Sequence, residues 1–326
     1  MKRILYLIAL LFIVTLISQS CNTNNNSKTE NQNPGYALVI HGGAGSISPD
    51  DFSPALQQQY RNSLNKALEA GEYVLKEGGT AVKAVLAAIQ VMEDDSLYNS
   101  GKGAVLTEKG YTELDASIMD GRNRNAGAVA GVKHIKNPIL AAYEVMTNSD
   151  HVMLSGTGAD HFAIHQGLDS VSRDYFITRS RLLQYKDKVK GTVGAVALDN
   201  NGNLAAGTST GGMSMKKWGR IGDSPIIGAG TWADNNSCAI SATGHGEFFI
   251  RNAIAYDIHA RMMYKKQSLE DASKKVIHDI LLEKYNADGG IIGIDHHGNL
   301  ILEFNTSGMF RAYTKSSGET EVRIFK

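Results

Sequence analysis

The residues best suited to catalysis and substrate binding are concentrated in residues 191–251. It opens with Gly191-Thr192, where a strand is predicted to begin directly after a polar and charged connector. Two clusters follow, at residues 220–225 and 243–247, and they bring hydroxyl, guanidinium, carboxylate and glycine backbone groups into one stretch. Each residue taken singly has an ordinary explanation, because glycines make turns, threonines favour strands and opposite charges pair at surfaces. Their combination in this order points to a catalytic site.

Residues 207–211 match a different pattern, the G-x-S-x-G nucleophile elbow of serine esterases, with Ser209 at its centre. The His-Gly-Gly run at residues 41–43 could supply the oxyanion motif that accompanies such an elbow. The elbow, however, requires a helix directly after the serine, whereas residues 211–225 are rich in glycine and end in proline. That composition is typical of a loop, so the sequence argues against an esterase.

Histidine and cysteine patterns give no support for a metal site or a cysteine nucleophile. The ten histidines contain no H-E-x-x-H pairing, and the adjacent His296 and His297 fall in a predicted turn, where their side chains should diverge. Cys238 lies in a short apolar run, which indicates a buried and unreactive thiol. The sequence therefore predicts polar surface histidines and no metal site built from side chains.

The overall composition indicates a folded protein that acts on small molecules. Of the 326 residues 42% are hydrophobic, enough to bury a core in one or two domains. Lysine plus arginine equals aspartate plus glutamate at 33 each, and no dense basic run occurs. With no net charge, the chain has no overall electrostatic attraction for nucleic acid or an anionic membrane. We therefore expect a small-molecule or dipeptide substrate and no nucleic acid partner.

The N-terminus has the composition of an export signal. Two basic residues near the start precede residues 4–17, which are almost wholly apolar and too few for a confident membrane span. Small residues then precede Cys21, which resembles a bacterial lipoprotein processing site, although Ser18 stands where such sites usually carry leucine. We predict a signal peptide over residues 1–20, lipidation of Cys21 and a disordered polar tether over residues 21–35. The chain would be an exported bacterial protein, periplasmic or an outer-membrane lipoprotein held only by its lipid anchor; plain secretion is the alternative.

The elements that must position the site are predicted to be hairpins and pairs of helices. Residues 192–210 read as a hairpin around an Asn-Gly turn, and residues 291–304 repeat the pattern. Residues 36–40 form an apolar strand that runs into a glycine turn at 41–45, and residues 172–190 read as an exposed connector. Hairpins covered by helix pairs favour an α+β fold, a four-layer αββα sandwich. Further strands are predicted at 107–119 and 126–132, and helices at 53–76, 80–93, 138–146, 159–166, 246–263 and 269–283.

The order of the motifs resembles the plant-type asparaginase and isoaspartyl peptidase family, a branch of the N-terminal nucleophile hydrolases. The resemblance extends over about residues 36–311, nearly the whole chain after the tether. Its densest segments are 41–45, 99–104, 114–121 and 191–251. It implies the four-layer αββα sandwich of those hydrolases, formed as one domain over residues 36–326.

The resemblance also implies self-cleavage between Gly191 and Thr192. The products would be an α subunit over residues 36–191 and a β subunit over residues 192–326. The freed α-amine of Thr192, with an ordinary pKa of about 7.7–8.0, suits a general base for the hydroxyl nucleophile of the same residue. Thr210 resembles the residue that hydrogen-bonds this hydroxyl.

The remaining site residues are expected to form an oxyanion hole and to bind the substrate. The Thr243 side chain and the Gly244 backbone N–H resemble the oxyanion hole. Arg220 offers a two-pronged donor for a carboxylate, Asp223 an anion for an ammonium and Gly246 a backbone acceptor. Such a site would hold the α-end of an L-aspartyl group and leave its β-carbonyl to the nucleophile.

The activity that the resemblance implies is release of L-aspartate from β-aspartyl dipeptides and L-asparagine, through a covalent aspartyl-threonine intermediate. Asn99 is assigned to the substrate-binding residues, and Thr157 departs from the glutamate that relatives commonly carry. The close alternative is glycosylasparaginase, whose cleavage point resembles Asp-Thr rather than the Gly191-Thr192 found here. The distant alternative is a non-enzymatic solute-binding lipoprotein, which has no reason to cleave itself.

Assembly and ion binding also follow only from the resemblance. Relatives assemble as dimers of cleaved α–β units, so a homodimer of such units is expected. No cofactor is required, and a structural Na⁺ or K⁺ held by backbone carbonyls of residues 93–102 is the one ion expected. Carbonyl ligands leave no pattern in a sequence, so the residues themselves add nothing to this expectation.

Overall fold

Twelve strands form the centre of the described part of the chain. The computed structural model describes residues 35–185 and 191–326. The predictions for the signal peptide, for lipidation of Cys21 and for nearly all of the tether concern residues 1–34, outside the described residues. In chain order the strands are β1 (Ala37–Gly45), β2 (Leu114–Asp120), β3 (Ala126–Val132), β4 (Met153–Ser155), β5 (Val193–Leu198), β6 (Leu204–Thr210), β7 (Thr231–Ala233), β8 (Cys238–Gly244), β9 (Gly289–Asp295), β10 (Leu300–Phe304), β11 (Gly308–Lys315) and β12 (Thr320–Phe325).

The strands make two sheets. The larger sheet has eight strands in the order β12-β11-β1-β5-β6-β2-β3-β4, and the smaller has four in the order β10-β9-β8-β7. Neighbouring strands pair antiparallel except β3 and β4, which are parallel. The two hairpins predicted from sequence are confirmed as β5–β6 and β9–β10.

Helices lie on the outer faces of both sheets. In chain order they are α1 (Pro54–Lys76), α2 (Ala81–Asp94), α3 (Pro138–Asn148), α4 (Gly156–His165), α5 (Arg179–Leu183), α6 (Gly246–Asn252), α7 (Ile254–Lys265) and α8 (Leu269–Lys274), which continues as a π-helix over Lys275–Lys284. Short 3₁₀ turns occur at Pro49–Asp51, Gly101–Gly103 and Arg173–Phe176. Within the described ranges no helix combines the length and apolar character that crossing a bilayer requires.

The side chains of β1 show how the layers arise. Leu38 and Ile40 pack into the core that α1, α2 and α3 form on the outer face of the large sheet. Ala37 and Val39 point the other way, toward the small sheet, into a second core whose residues also come from that sheet and from α7 and α8. Both faces of the strand are buried, which explains its continuously apolar sequence. The order helix, sheet, sheet, helix confirms the predicted four-layer αββα sandwich.

The turn between β5 and β6 sets the register of the strands that carry the site. Asp199 accepts the backbone N–H groups of Asn201 and Asn203 at 2.9 Å each. Gly202 takes a left-handed φ of 78°, as the Asn-Gly turn predicted. The resulting register places the residue that precedes β5 beside the last residue of β6.

Two strand predictions were wrong in their bounds. Residues 41–45, expected as a glycine turn, continue β1, and a bulge interrupts its pairing with β11 between His41 and Gly43. Residues 107–113, expected as strand, are irregular up to the start of β2. Strands β4, β7, β8, β11 and β12 were not predicted. Two of them, β4 and β7, have only three residues each, and the other three are defined mainly by the strands they pair with.

Two helix predictions and the connector prediction also need correction. The helix expected over 246–263 is broken into α6 and α7 at Ala253, whose φ is 46°. The helix expected over 269–283 changes to π-helical form after α8. The connector expected to be exposed contains α5, and Phe176 and Arg181 in it are buried. Tertiary contacts therefore hold much of this segment.

Candidate active site

Thr192 lies where the β5–β6 hairpin meets a narrow pocket. It directly precedes β5, so the hairpin register brings its side chain beside Thr210 at the end of β6. In the uncut chain its Oγ1 lies 2.7 Å from the Gly191 carbonyl oxygen and 3.1 Å from Thr210 Oγ1. The predicted nucleophile and the predicted partner of its hydroxyl are thus in hydrogen-bond contact.

The Gly191 carbonyl oxygen is surrounded by hydrogen-bond donors. Asn99 Nδ2 donates to it at 2.9 Å, and Thr210 Oγ1 lies 3.2 Å away. Asn99 is itself held in place, because Nδ2 also donates to the Gly212 carbonyl at 2.7 Å and Oδ1 accepts the Val105 N–H at 2.9 Å. Donors in these positions stabilise the negative charge that appears on a carbonyl oxygen when its carbon is attacked.

Gly43 in β1 packs directly against this peptide bond. Its φ is 108°, a left-handed backbone value that residues other than glycine rarely adopt. A Cβ at this position would lie 2.9 Å from the Gly191 Cα and 3.2 Å from the Thr192 nitrogen. The glycine run of β1 therefore serves close approach to the Gly191–Thr192 peptide rather than a turn.

His41 is a neutral, structural histidine behind the site. Burial lowers its pKa to about 3, although a backbone hydrogen bond with Thr192 acts in the opposite direction. Its Nε2 lies 3.0 Å from Ser241 Oγ, which lies 2.7 Å from Thr208 Oγ1, which in turn lies 2.6 Å from Thr231 Oγ1. This buried chain of polar groups links the two sheets beside β5 and cannot supply a positive charge near neutral pH.

Thr243 and Gly244, the predicted oxyanion donors, lie at the end of β8 in the small sheet. The Thr243 hydroxyl accepts the Ala44 N–H at 3.4 Å, so its own hydrogen can turn toward another acceptor. Gly244 lines the same pocket as Thr192. The two sheets thus contribute opposite walls of the site.

Arg220 occupies that pocket, which we call the Arg220 pocket, and it is already paired. Its Nε and Nη2 donate to the two carboxylate oxygens of Glu247 at 2.9 Å each, a bidentate arrangement. The Glu247 side chain is 54% exposed, whereas that of Arg220 is only 20% exposed. Arg220 therefore pairs with Glu247 rather than with Asp223. The lining of the pocket is Gly191, Thr192, Thr210, Gly212, Met213, Arg220, Gly222, Asp223, Ser224, Gly244, His245 and Glu247.

Asp223 is a buried carboxyl group with unused hydrogen-bonding capacity. Within the described residues its Oδ2 has no hydrogen-bond partner, although it is removed from solvent. Burial raises the pKa of Asp223 to about 7; the Arg220 guanidinium lowers it, whereas Glu247 and Asp115 add to the rise. A carboxylate in this state favours an incoming cation, because a cation would offset the cost of its desolvation.

Gly246 leaves room for both charged groups. A Cβ at this position would lie 2.8 Å from Asp223 Oδ1 and 2.9 Å from Arg220 Nη2. Any side chain would therefore push into the space that separates the guanidinium from the carboxylate. Gly246 is also the first residue of α6, so the start of this helix lies beside the Arg220 guanidinium and the Asp223 carboxyl group.

Comparison with known proteins agrees with this geometry. The family model described as Asparaginase matches residues 34–190 and 183–324. This chain belongs to the asparaginase family. It is similar to the isoaspartyl peptidase of Escherichia coli, at 46% identity over 89% of this chain and 96% of the relative. It is also similar to the isoaspartyl peptidase of Salmonella typhimurium, at 45% identity over 89% and 98%, and to the isoaspartyl peptidase/L-asparaginase of Mus musculus, at 38% over 86% and 88%.

The asparaginase-family residues predicted for the site do not all lie in one place. Thr192, Thr210, Arg220, Asp223 and Gly244 line the Arg220 pocket. Gly246 lies against the side chains of Arg220 and Asp223, and Thr243 directly precedes Gly244. Asn99 does not line it and is bonded to the carbonyl of Gly191 instead, so its binding of substrate stays a prediction.

Ser209, the esterase candidate, is built into the core of this asparaginase-family fold. It is fully buried, and its Oγ donates to Glu93 Oε1 at 2.6 Å and lies 2.9 Å from Ser100 Oγ. Burial raises the pKa of Glu93 to about 8, with hydrogen bonds from Ser209 and the Ile139 N–H acting in the opposite direction. The serine links β6 to the end of α2 and is not placed as a nucleophile.

A buried ion pair behind the pocket was missed by the sequence analysis. Asp115 in β2 pairs in register with Thr210, and its Oδ2 lies 3.8 Å from Lys216 Nζ. Lys216 also donates to the Glu113 carbonyl at 2.8 Å, and both charged side chains are almost wholly buried. The signal available in the sequence was Asp115 between Leu114 and Ala116 in a predicted strand, because a charged side chain is rarely buried unless it is paired.

The environment of Cys238 agrees with the sequence argument that its thiol is buried and unreactive. Cys238 is buried, and burial raises the pKa of its thiol to about 12, so the thiol is unreactive near neutral pH. Within residues 35–185 and 191–326, no group of three or more His, Cys, Asp or Glu side chains could hold a metal ion.

Proposed function

We propose that this protein is an amidohydrolase that cleaves itself before Thr192 and then releases L-aspartate from β-aspartyl dipeptides and L-asparagine. The observation that carries the proposal is the position of the Thr192 hydroxyl. It lies 2.7 Å from the Gly191 carbonyl oxygen and opens onto the pocket that holds Arg220 and Asp223. This position supports a role for one hydroxyl both in cleavage of its own chain and in attack on a bound substrate.

Self-cleavage needs only groups around the Gly191–Thr192 peptide. Thr192 Oγ1 attacks the Gly191 carbonyl carbon, and Asn99 Nδ2 and Thr210 Oγ1 stabilise the charge on the oxygen. The C–N bond then breaks, the hydroxyl proton passes to the Thr192 nitrogen, and an ester joins Gly191 to Thr192. Water hydrolyses the ester, which restores the hydroxyl and leaves a Gly191 carboxylate and a free Thr192 α-amine.

Substrate hydrolysis reuses the same hydroxyl with the new α-amine as base. The amine takes the Thr192 hydroxyl proton while Oγ1 attacks the β-carbonyl of the substrate, and Thr243 and Gly244 donate to the oxyanion. The leaving amine accepts the proton as the amide bond breaks. Water then hydrolyses the aspartyl-threonine ester and releases L-aspartate.

Charge selects the aspartyl end of the substrate. The two oxygens of Glu247 show how a carboxylate fits the Arg220 guanidinium, and the α-carboxylate of the substrate would replace them. Glu247 is the more exposed partner, so it can swing into solvent when it is displaced. Asp223 then binds the substrate ammonium, which restores a counter-ion to its buried carboxyl group.

Four compounds test this proposal. We expect turnover of β-aspartyl-leucine and L-asparagine, and a kcat/KM at least about 10³-fold lower for α-aspartyl-leucine, because its scissile amide replaces the carboxylate that Arg220 needs. L-Glutamine should also be poor, because one more methylene moves its carbonyl away from Thr192. Released aspartate or glutamate is the measurement, with the Thr192→Ala variant as the blank. Comparable turnover of the α-linked peptide would refute this arrangement, and cleavage of glycosylated asparagine alone would indicate a glycosylasparaginase.

We propose, from the sequence of the N-terminus, that the protein is exported and anchored through a lipid on Cys21. Replacing Cys21 with serine should move the protein from the membrane fraction to the soluble fraction while leaving its specific activity intact. Cys238→Ala is the matched control and should stay in the membrane fraction, because that buried thiol is not exposed for modification. Fractionation and an activity assay measure both. Unchanged membrane association of the Cys21 variant would mean that the apolar segment at residues 4–17 is itself the anchor.

A structural alkali ion and a homodimer of cleaved units remain proposals that rest on the family resemblance. Support for the ion comes from the close backbone packing of the loop after α2. Ideal Cβ atoms on Gly101 and Gly103 would lie 2.2 Å from the Glu93 carbonyl oxygen and 2.1 Å from the Tyr98 carbonyl oxygen. These two carbonyl oxygens therefore lie close to the loop backbone, and carbonyl oxygens are ligands that K⁺ and Na⁺ accept.

A further inference from the structure

A second cavity, of about 480 Å³, adjoins the Arg220 pocket. The two share only Gly191 and Gly244 among their lining residues, so they meet at the peptide bond before Thr192 and at the predicted oxyanion hole. Its other walls come from the glycine run of β1 and the loop after it, α1, α5, the segment around Asn99, Asp288 and Phe310 in β11. Its volume is within the range of cavities that hold small ligands. We call it the Arg181 cavity.

Arg181 gives this cavity a positive charge, and Asp288 is the one acidic residue in its described lining. The residue is only 7% exposed, and it donates to three neutral oxygens: Gly103 O at 2.5 Å, Gln184 Oε1 at 2.9 Å and Leu97 O at 3.4 Å. These bonds use three of the five N–H groups of a guanidinium. In the described part of the chain no carboxylate lies within ion-pair distance of it. A buried cation without a counter-ion favours an anionic ligand.

An aromatic cluster forms another wall of the same cavity. Tyr60 and Phe310 are stacked with ring centroids 4.0 Å apart, and Phe52 meets them edge-on at 5.8 and 5.9 Å. All three residues line the cavity. A cavity with one guanidinium and an apolar wall matches an amino-acid residue that has a free carboxylate and an apolar side chain.

We propose that the Arg181 cavity binds the leaving residue of a β-aspartyl dipeptide, with Arg181 on its α-carboxylate and the cluster of Phe52, Tyr60 and Phe310 on its side chain. This inference rests on the proposed function. With the aspartyl end held by Arg220, the leaving residue must lie beyond Thr192, where this cavity opens. L-Asparagine releases ammonia and has no group for Arg181, so Arg181 determines specificity in favour of dipeptides.

The test compares two substrates that differ only in the group that Arg181 would bind. β-Aspartyl-leucine has the leaving carboxylate, and β-aspartyl-leucinamide has a neutral amide in its place. We expect wild-type kcat/KM to be at least about tenfold higher for the acid, the effect of one charge-assisted contact. In Arg181→Gln the ratio of the two values should fall to about one, and Arg181→Lys should keep part of it. The matched control is Arg179→Gln, an exposed arginine on the same helix, which should keep the wild-type ratio.

The ratio of the two kcat/KM values, acid to amide, distinguishes binding of the leaving residue from structural support. A damaged fold lowers both kcat/KM values together and leaves their ratio unchanged. An unchanged ratio in Arg181→Gln would overturn the proposal and make Arg181 a structural residue. So would a wild-type ratio near one, the result expected if the carboxylate created on Gly191 by self-cleavage occupies the guanidinium. If Arg181→Gln does not fold, a wild-type ratio near one still overturns the proposal, and a tenfold ratio that does not fall in Arg181→Lys does so as well. If wild-type protein releases aspartate from neither dipeptide nor from L-asparagine, the proposed function itself has failed.

Discussion

Thr192→Ala is expected to remain one uncut chain and to release aspartate at roughly 10⁴-fold below the wild-type rate or slower. The substitution removes the hydroxyl that lies 2.7 Å from the Gly191 carbonyl oxygen, so the N-to-O acyl shift cannot begin. Without cleavage the Thr192 position has no free α-amine, so the base is lost together with the nucleophile. Both losses come from one residue, which is why the expected effect is so large.

A denaturing gel with N-terminal sequencing measures cleavage, and an aspartate assay measures activity. Thr192→Ser is the matched control, because it keeps the hydroxyl and the capacity for a free α-amine; it should cleave and remain active, at reduced rates. In the wild type the new N-terminus should be Thr192. Wild-type protein that stays uncut yet hydrolyses β-aspartyl-leucine at full rate would contradict the mechanism.

Asp223→Asn is expected to lose nearly all activity and to become more stable above neutral pH. The activity falls, by about 10³-fold, because a neutral amide cannot pair with the substrate ammonium. The stability rises because the native state holds this carboxyl group buried, with Oδ2 lacking a hydrogen-bond partner among the described residues. Asparagine carries no charge to desolvate and so avoids the penalty of ionisation.

The sign of the pH dependence follows from the direction of the pKa shift. Burial raises the pKa of Asp223 to about 7, above the ordinary value of about 3.9, so the native state binds this proton more tightly than the unfolded state. The associated stability is complete below about pH 4 and is lost as the pH rises to about 7, amounting to about 4 kcal/mol. The thermal midpoint of Asp223→Asn should therefore exceed that of the wild type increasingly from pH 5 to pH 8.

Thermal midpoints across this pH range, with Asp150→Asn as an exposed control, measure the effect. The control should follow the wild type at every pH. Wild-type kcat/KM should rise as the pH passes through about 7, because Asp223 must be ionised to bind the ammonium and the Thr192 amine must be deprotonated. If Asp223→Asn is the less stable protein at pH 8, the carboxylate is stabilised in the native state and the prediction is wrong.

Local sequence patterns determined the hairpin that carries Thr192. An apolar run before and after an Asn-Gly turn specifies two paired strands, and an aspartate at the start of the turn caps it, so the partners of this hairpin are close in the chain. The order of the glycine, threonine and arginine motifs was enough to identify the family, which the family model confirms. The αββα arrangement followed because strands buried on both faces require helices or a second sheet over each face.

Only the tertiary structure decided which charges meet. Arg220 and Glu247 are 27 positions apart, and nothing in either segment indicates that Glu247 rather than Asp223 takes the guanidinium. The Asp115–Lys216 pair joins a strand to a distant loop, and Arg181 comes from a segment predicted to be exposed. Such contacts depend on distances across the fold, and a charged side chain has the same sequence signature whether it pairs in the interior or faces water. The sequence therefore determined the catalytic hairpin, the fold class and the family, and the packing of the two sheets decided the electrostatics of the site.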